Sequence, residues 1–256
     1  MHPALAALLG VTVVSGVSFV GALAGSRWLR SHGAILGLVA IAAGALLGDA
    51  FLHLLPEAAE AWGGFSLRLS ALVLAGFGLF FVLEVGLRLG HAHGENLDDH
   101  GHAHDAPRIQ PFGWMNLAGD ALHNFLDGAV IAASFLADPA LGIATTGAVI
   151  LHEIPQELGD FAVLLRSGMS RRKALLLNFA TALTAVAGAV LVLVLPVPID
   201  RLERFALPLT AGGFLYIAAA DLIPELHHHA GDRQGRKVVP AVALGVAVMA
   251  MLLLLE

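Results

Sequence analysis

His152-Glu153-Ile154-Pro155-Gln156-Glu157-Leu158-Gly159-Asp160-Phe161 interrupts an apolar stretch that runs from about residue 140 to 166. Three acids, an imidazole and an amide stand where a membrane span or a core helix should be greasy. Offsets of 0, 4 and 8 put His152, Gln156 and Asp160 near one helical stripe. Glu153 and Glu157 occupy the adjacent one. The preceding apolar stretch, 112–136, carries a matching set: Asp120, His123, Asn124 and Asp127 at offsets 0, 3, 4 and 7, all on one face. Five carboxylates on two consecutive apolar helices would cost about 12–17 kcal/mol if ionised and unpaired at the centre of a membrane. No Lys or Arg within either segment offsets them. A bound divalent cation would, and oxygen and imidazole donors without thiolate suit zinc, iron(II), manganese or cadmium better than copper(I).

The rest of the chain makes the membrane reading firm. Of 256 residues, 57% are hydrophobic and 13% charged, and the mean hydropathy is +0.80. Eight apolar stretches are legible, at roughly 4–25, 34–56, 67–89, 112–136, 140–166, 174–196, 205–226 and 238–255. Each is long enough to cross a hydrocarbon core of about 30 Å. The first has no basic flank or clear cleavage site and reads as a retained helix. The reading is an all-α membrane protein of eight transmembrane helices in a single domain, 1–256. With no cysteine, disulfides and thiolate chemistry are excluded. A net charge of −6 argues against nucleic acid as a partner; divalent metal ions and the lipid bilayer are the partners expected.

Orientation comes from Lys and Arg. Arg27, Arg30, Arg88, Arg108, Arg166, Arg171, Arg172, Lys173, Arg233, Arg236 and Lys237 fall in alternate loops, against Arg68, Arg201 and Arg204 on the other side. Positive residues mark the cytoplasmic face, so both termini are expected outside the cytoplasm. The loop 90–110 between the third and fourth stretches is then cytoplasmic. It holds His91, His93, His100, His102 and His104 among acids and small residues, a composition suited to weak, exchangeable metal binding.

Two features repeat. The second stretch carries His53 three positions before Pro56-Glu57, after Gly48-Asp49, and the seventh carries Asp221 three positions before Pro224-Glu225. The two stretches run in opposite directions, which suggests an inverted repeat, helices 1–3 against 6–8, around helices 4 and 5. Asp49 and His53, at i and i+4, share a face. Pro155 lacks an N–H for the Leu151 carbonyl and is expected to kink the fifth helix.

Taken together, His123-Asn124-Phe125-Leu126-Asp127-Gly128, the helix-5 run quoted above and Gly48-Asp49 through His53-Leu54-Leu55-Pro56 resemble the ZIP (Zrt/Irt-like) family of divalent metal transporters. The resemblance covers essentially the whole chain. It implies a ZIP-like bundle, a metal path between helices 2, 4, 5 and 7, and a binuclear centre at mid-membrane. Matched by position, His123, Asp127, His152 and Gln156 would form one site. Asn124, Asp127, Glu153 and Gln156 would line the second, with Asp221 beside it. Asp49 and His53 would line the outer entrance, and Asp120, Glu157 and Asp160 are further path or gate residues. Gln156 departs from the family, many of whose members carry His there. The implied function is transport of zinc, or of cadmium, iron or manganese, toward the cytoplasm across the plasma membrane (the inner membrane if the chain is prokaryotic). The sequence does not fix the assembly, and a homodimer is one candidate. The competing reading is an intramembrane zinc-dependent hydrolase, because His152-Glu153 begins like a His-Glu-x-x-His motif. Gln156 in place of the second His weakens it. A metal sensor or a structural membrane protein is a third reading.

Overall fold

The computed structural model describes residues 2–28, 31–94, 109–195, 198–228 and 237–253. Among them there is no strand. The helices form eight rods. The first is α1 (Pro3–Trp28). The second is α2 (His32–Asp49), a π-helical turn (Ala50–Leu54) and α3 (Leu55–Trp62). The next three are α4 (Leu67–Gly94), α5 (Pro111–Ala137) and α6 (Pro139–Arg166). The sixth is α7 (Arg171–Ala182) followed by α8 (Thr184–Val194). The seventh is α9 (Ile199–Tyr216), a second π-helical turn (Ile217–Leu222) and α10 (Ile223–His227). The last is α11 (Val238–Leu252).

Local chemistry sets these boundaries. Pro111 and Pro139 open α5 and α6, where a missing N–H costs nothing. Asp138 caps α6 by accepting from the amides of Ala140 at 2.8 Å and Leu141 at 3.1 Å. Pro155 does not end α6, which continues to Arg166. The register breaks lie elsewhere, in the two π turns just ahead of Pro56 and Pro224. A proline cannot donate to the carbonyl four residues back and its ring crowds it, and a wider turn relieves that conflict.

Among the described residues, five segments are long and apolar enough to cross a membrane: Pro3–Val20, Gly33–Trp62, Leu67–Leu89, Arg171–Val194 and Ile199–His227. The helices carrying the acids, α5 and α6, have 27 and 28 residues, about 40 Å each at 1.5 Å per residue. The inside-out pattern of a membrane bundle is plain. Leu74, Phe81 and Val82 of α4 point outward, whereas Glu153 and Asn124 are fully buried.

Packing carries the repeat beyond the echo of His53 and Asp221 ahead of Pro56 and Pro224. The second rod lies against α11 as the seventh lies against α4. Both contacts bring backbones together at glycines. A Cβ on Gly44 would stand 2.0 Å from the Val242 carbonyl oxygen, and one on Gly212 would stand 2.1 Å from that of Val73. Likewise α1 packs on α6 as α8 packs on α5. The eight rods are therefore two interlocked halves, with α5 and α6 at the centre.

One boundary differs from the sequence reading. The helix α4 continues through Gly94, so His91 and His93 stand on its last turn and not in a loop beginning at residue 90. His100, His102 and His104 lie outside the described residues.

Candidate metal centre

The polar faces of α5 and α6 meet. His123 Nε2 lies 3.5 Å from Asp127 Oδ2 and 4.0 Å from Glu153 Oε1. His152 Nε2 lies 3.4 Å from the same Asp127 oxygen. One donor atom from each of His123, Asp127, His152 and Glu153 falls within 4.8 Å of the others. A tetrahedral zinc ion with bonds of about 2.0–2.2 Å holds its donors about 3.3–3.6 Å apart. The two separations from Asp127 to the histidines, 3.5 and 3.4 Å, match that value, and contraction of the others, 4.8 Å or less, closes the set on one ion. Both His123 ring nitrogens and Glu153 Oε1 are buried without a hydrogen-bond partner. Such groups are costly unless a ligand satisfies them. Phe214 of α9 walls the site, its ring centroid 5.4 Å from that of His123. Ser18 of α1 donates to Glu153 Oε2 at 3.4 Å and backs the site from behind.

A route reaches this centre from one end. A cavity of about 220 Å³ is lined by Asp49, His53, Glu57, His123, Asp127 and His152 among others. Asp49 Oδ1 and His53 Nδ1 are 3.7 Å apart on its wall, the π turn holding them there. Glu57, Val130 and Leu207 are shared with a wider vestibule of about 460 Å³ that adds Glu60, Asp200, Glu203 and Arg204. Four acids against one arginine make this mouth attractive to cations.

The opposite end is shut. A Cβ on Gly159 would stand 2.8 Å from the Ala42 Cβ, so α6 and α2 touch there. A crevice of about 10 Å³ remains between Ala42, Asp49, Gln156 and Asp160. Further along, Arg166 Nε donates to Glu225 Oε1 at 2.7 Å, and the Gln110 amide donates to the Ser167 carbonyl at 2.7 Å.

The remaining residues expected at the site are distributed around it. Asn124 faces Asp120, donating from Nδ2 to Oδ1 at 2.8 Å. Gln156 borders the closed crevice and does not line the larger cavity. Asp160 accepts from Asn116 Nδ2 at 3.0 Å, and Glu157 accepts from Asn178 of α7. Asp221 sits on the second π turn, outside the four-donor set. Beside that turn Tyr216 donates to the buried Glu84, which also pairs with Arg88.

Sequence reasoning missed Ser18, Asn116 and Asn178. Asn116 had a signal, since it lies four residues before Asp120 on the same stripe. Ser18 and Asn178 have only hydroxyl companions at helical spacing, Ser15 and Thr181, and serine and threonine are common in apolar helices, so the pairs did not stand out.

Comparison with known proteins gives the family. The family model described as ZIP Zinc transporter matches residues 2–110 and 86–253. A Caenorhabditis elegans protein named zinc transporter zipt-7.2 is 34% identical over 269 residues, covering 86% of this chain and 58% of its own length. Mouse zinc transporter ZIP13 is 35% identical over 251 residues, covering 84% of this chain and 69% of its own. Mouse zinc transporter SLC39A7 is 33% identical over 303 residues, with 86% and 62% covered. The chain thus spans roughly three fifths to two thirds of the length of these relatives. Matches across nearly the whole chain, together with the eight-rod fold, show that it belongs to the ZIP zinc transporter family.

Proposed function

We propose that the chain carries a divalent cation, zinc foremost, across the membrane through the centre formed by His123, Asp127, His152 and Glu153. The observation that carries this reading is a four-donor set spaced for one tetrahedral ion at the end of an acidic, one-sided cavity. The zinc transporters among its relatives support the choice of metal. Asn124 and Gln156 border this set, and Asp49 with His53 line the approach. Asp221, on the symmetry-related turn, is the matching group for the other side.

The vestibule end faces away from the cytoplasm under the charge asymmetry of the loops. The cation is drawn in by Glu57, Glu60, Asp200 and Glu203. It sheds water against Asp127 and His152, which face the cavity, and is completed by the buried His123 and Glu153. Release requires the Ala42–Gly159 contact and the Arg166–Glu225 pair to part while the vestibule closes. The two interlocked halves supply two packings of similar energy for that exchange. No bond in the cargo is made or broken. The hydrolase reading lacks support: the second imidazole of its motif is Gln156, and the relatives are transporters.

Zinc uptake into proteoliposomes tests the reading. Wild-type protein is expected to load vesicles down a zinc gradient, and His152→Ala, at equal protein content, to leave them at background. Equal uptake by both proteins would refute the assignment.

A further inference from the structure

The first rod, α1, carries two buried serines, Ser15 and Ser18, 2% and 0% exposed. A serine or threonine inside an apolar helix commonly satisfies its hydroxyl on the carbonyl four residues back. Thr12 of the same helix does so on Leu8 at 2.6 Å, and Thr146 of α6 on Gly142 at 2.7 Å. Ser15 and Ser18 reach across to other rods instead. Ser15 donates to the Ala182 carbonyl at 2.8 Å, where α7 gives way to α8, and Ser18 donates to Glu153 Oε2 at 3.4 Å. The Phe19 ring meets that of Phe179 on α7, centroids 4.8 Å apart, and fixes the rotation of α1 at this level.

The bond from Ser18 divides the two oxygens of the Glu153 carboxylate. Oε2 is held by the serine hydroxyl. Oε1 is buried without a hydrogen-bond partner and lies 4.0 Å from Nε2 of His123, a member of the four-donor set. Glu157, one turn along α6, comes within reach of the same hydroxyl but already accepts from Asn178. A carboxylate held in this way offers a metal one oxygen. One oxygen per carboxylate suits tetrahedral zinc, with bonds of about 2.0–2.2 Å. Both oxygens of one carboxylate suit a larger ion, with bonds of about 2.3–2.6 Å and more ligands.

We infer that Ser18 determines metal selectivity: it holds Glu153 to one-oxygen coordination and so favours zinc over larger divalent cations such as cadmium. This role rests on the four-donor set being the transport centre. Ser18 is a positioning residue, acting on the metal through Glu153. Without its hydroxyl, Oε2 loses its donor and turns to the ion. Zinc then loses an oriented ligand, whereas the larger ion gains a second oxygen.

Uptake of zinc and of cadmium into proteoliposomes of full-length protein, each fitted for its own KM, tests this. Ser18→Ala should raise the zinc KM about tenfold, the scale of losing a group that orients a ligand, and leave the cadmium KM equal or lower. Ser18→Thr keeps the hydroxyl and should restore the wild-type ratio of the two KM values. Ser15→Ala removes the neighbouring bond between rods, which touches no donor of the centre, and should leave that ratio unchanged. An equal rise in both KM values in Ser18→Ala would mark a merely structural role and overturn the proposal. So would an unchanged ratio, or the same shift in Ser15→Ala. Should the extra methyl of Ser18→Thr prevent folding, the contrast between Ser18→Ala and Ser15→Ala decides alone. His152→Ala separates the two readings: zinc uptake equal to wild type there would overturn the transport centre and this role with it, whereas loss of uptake there beside an unchanged ratio in Ser18→Ala would overturn this role alone.

Discussion

The four-donor centre and the buried acids beyond it, Asp120, Glu157 and Asp160, are set on the same two helices and differ in partners and access. At the centre, two imidazoles and two carboxylates converge at the end of an open cavity. In the cluster, three carboxylates and several amides pack against α7 with no imidazole and no open route. Gln156 stands where the two meet, bordering the crevice with Asp49 and Asp160. The difference teaches that the polar stripes of α5 and α6 are not one continuous binding strip. Position along the stripe sets donor type and access. Donors for a metal converge where the stripe opens on the cavity, and the acids are held by asparagine amides where it is closed.

The comparison is broken most severely by removing a central donor. Asp127→Ala takes away the oxygen that both histidines approach, at 3.5 and 3.4 Å. Zinc affinity is expected to fall at least about 100-fold, more than for a supporting residue, and vesicle uptake to reach background. Titration with a zinc-sensitive dye at equal protein content checks this.

Changing Gln156 sharpens the boundary between the two regions. Gln156→His adds a third imidazole at the crevice and is expected to tighten zinc about tenfold at pH 7.5. The added imidazole binds metal only when neutral, and an unperturbed histidine titrates near pH 6.5. The gain should therefore be present above that pH and lost as pH falls toward 6. Wild type, with an amide that does not titrate, lacks this extra pH step. Equilibrium titrations at pH 6 and 7.5 measure both.

The closed end gives a smaller effect. Arg166 and Glu225 are partly exposed, so their pair is worth about 1 kcal/mol. Glu225→Gln should raise the population open at that end about fivefold. The chain has no cysteine, so Ala42→Cys introduces a single thiol at the Gly159 contact. Its labelling rate in vesicles should rise by the same factor in the Glu225→Gln background.

The loop gives the smallest effect. Replacing His100, His102 and His104 by alanine should change zinc uptake less than about twofold, since weak exchangeable ligands beyond the spans do not set the central affinity. A parallel uptake assay with wild type checks it.

Much of this was legible in the sequence, and the parts that were not share a cause. The 3.6-residue period revealed the faces Asp120–Asp127 and His152–Asp160, because charged side chains on an apolar helix have few structural uses. It also placed Asp49 with His53. Periodicity within one helix does not say which neighbouring helix faces it. Asn178 and Ser18, each on a different rod, could therefore not be joined to Glu157 and Glu153. The π turns were hidden for a related reason. Pro56 and Pro224 were visible, but whether a proline bends, ends or re-registers a helix depends on what packs around it. Pro155 shows the same dependence: α6 continues through it to Arg166. The histidine run was read as beginning in a loop, whereas α4 extends to Gly94; small residues and histidines do not mark a helix end the way a glycine cap does.

The most direct test of the central claim is zinc X-ray absorption on protein carrying one equivalent of zinc, with His100, His102 and His104 replaced so that the metal reports the membrane site. The account predicts four nitrogen and oxygen neighbours at about 2.0–2.1 Å, two of them with the outer-shell scattering of imidazole, and loss of one imidazole in His152→Ala. A shell made of oxygen alone, or two imidazoles that persist in His152→Ala, would contradict it.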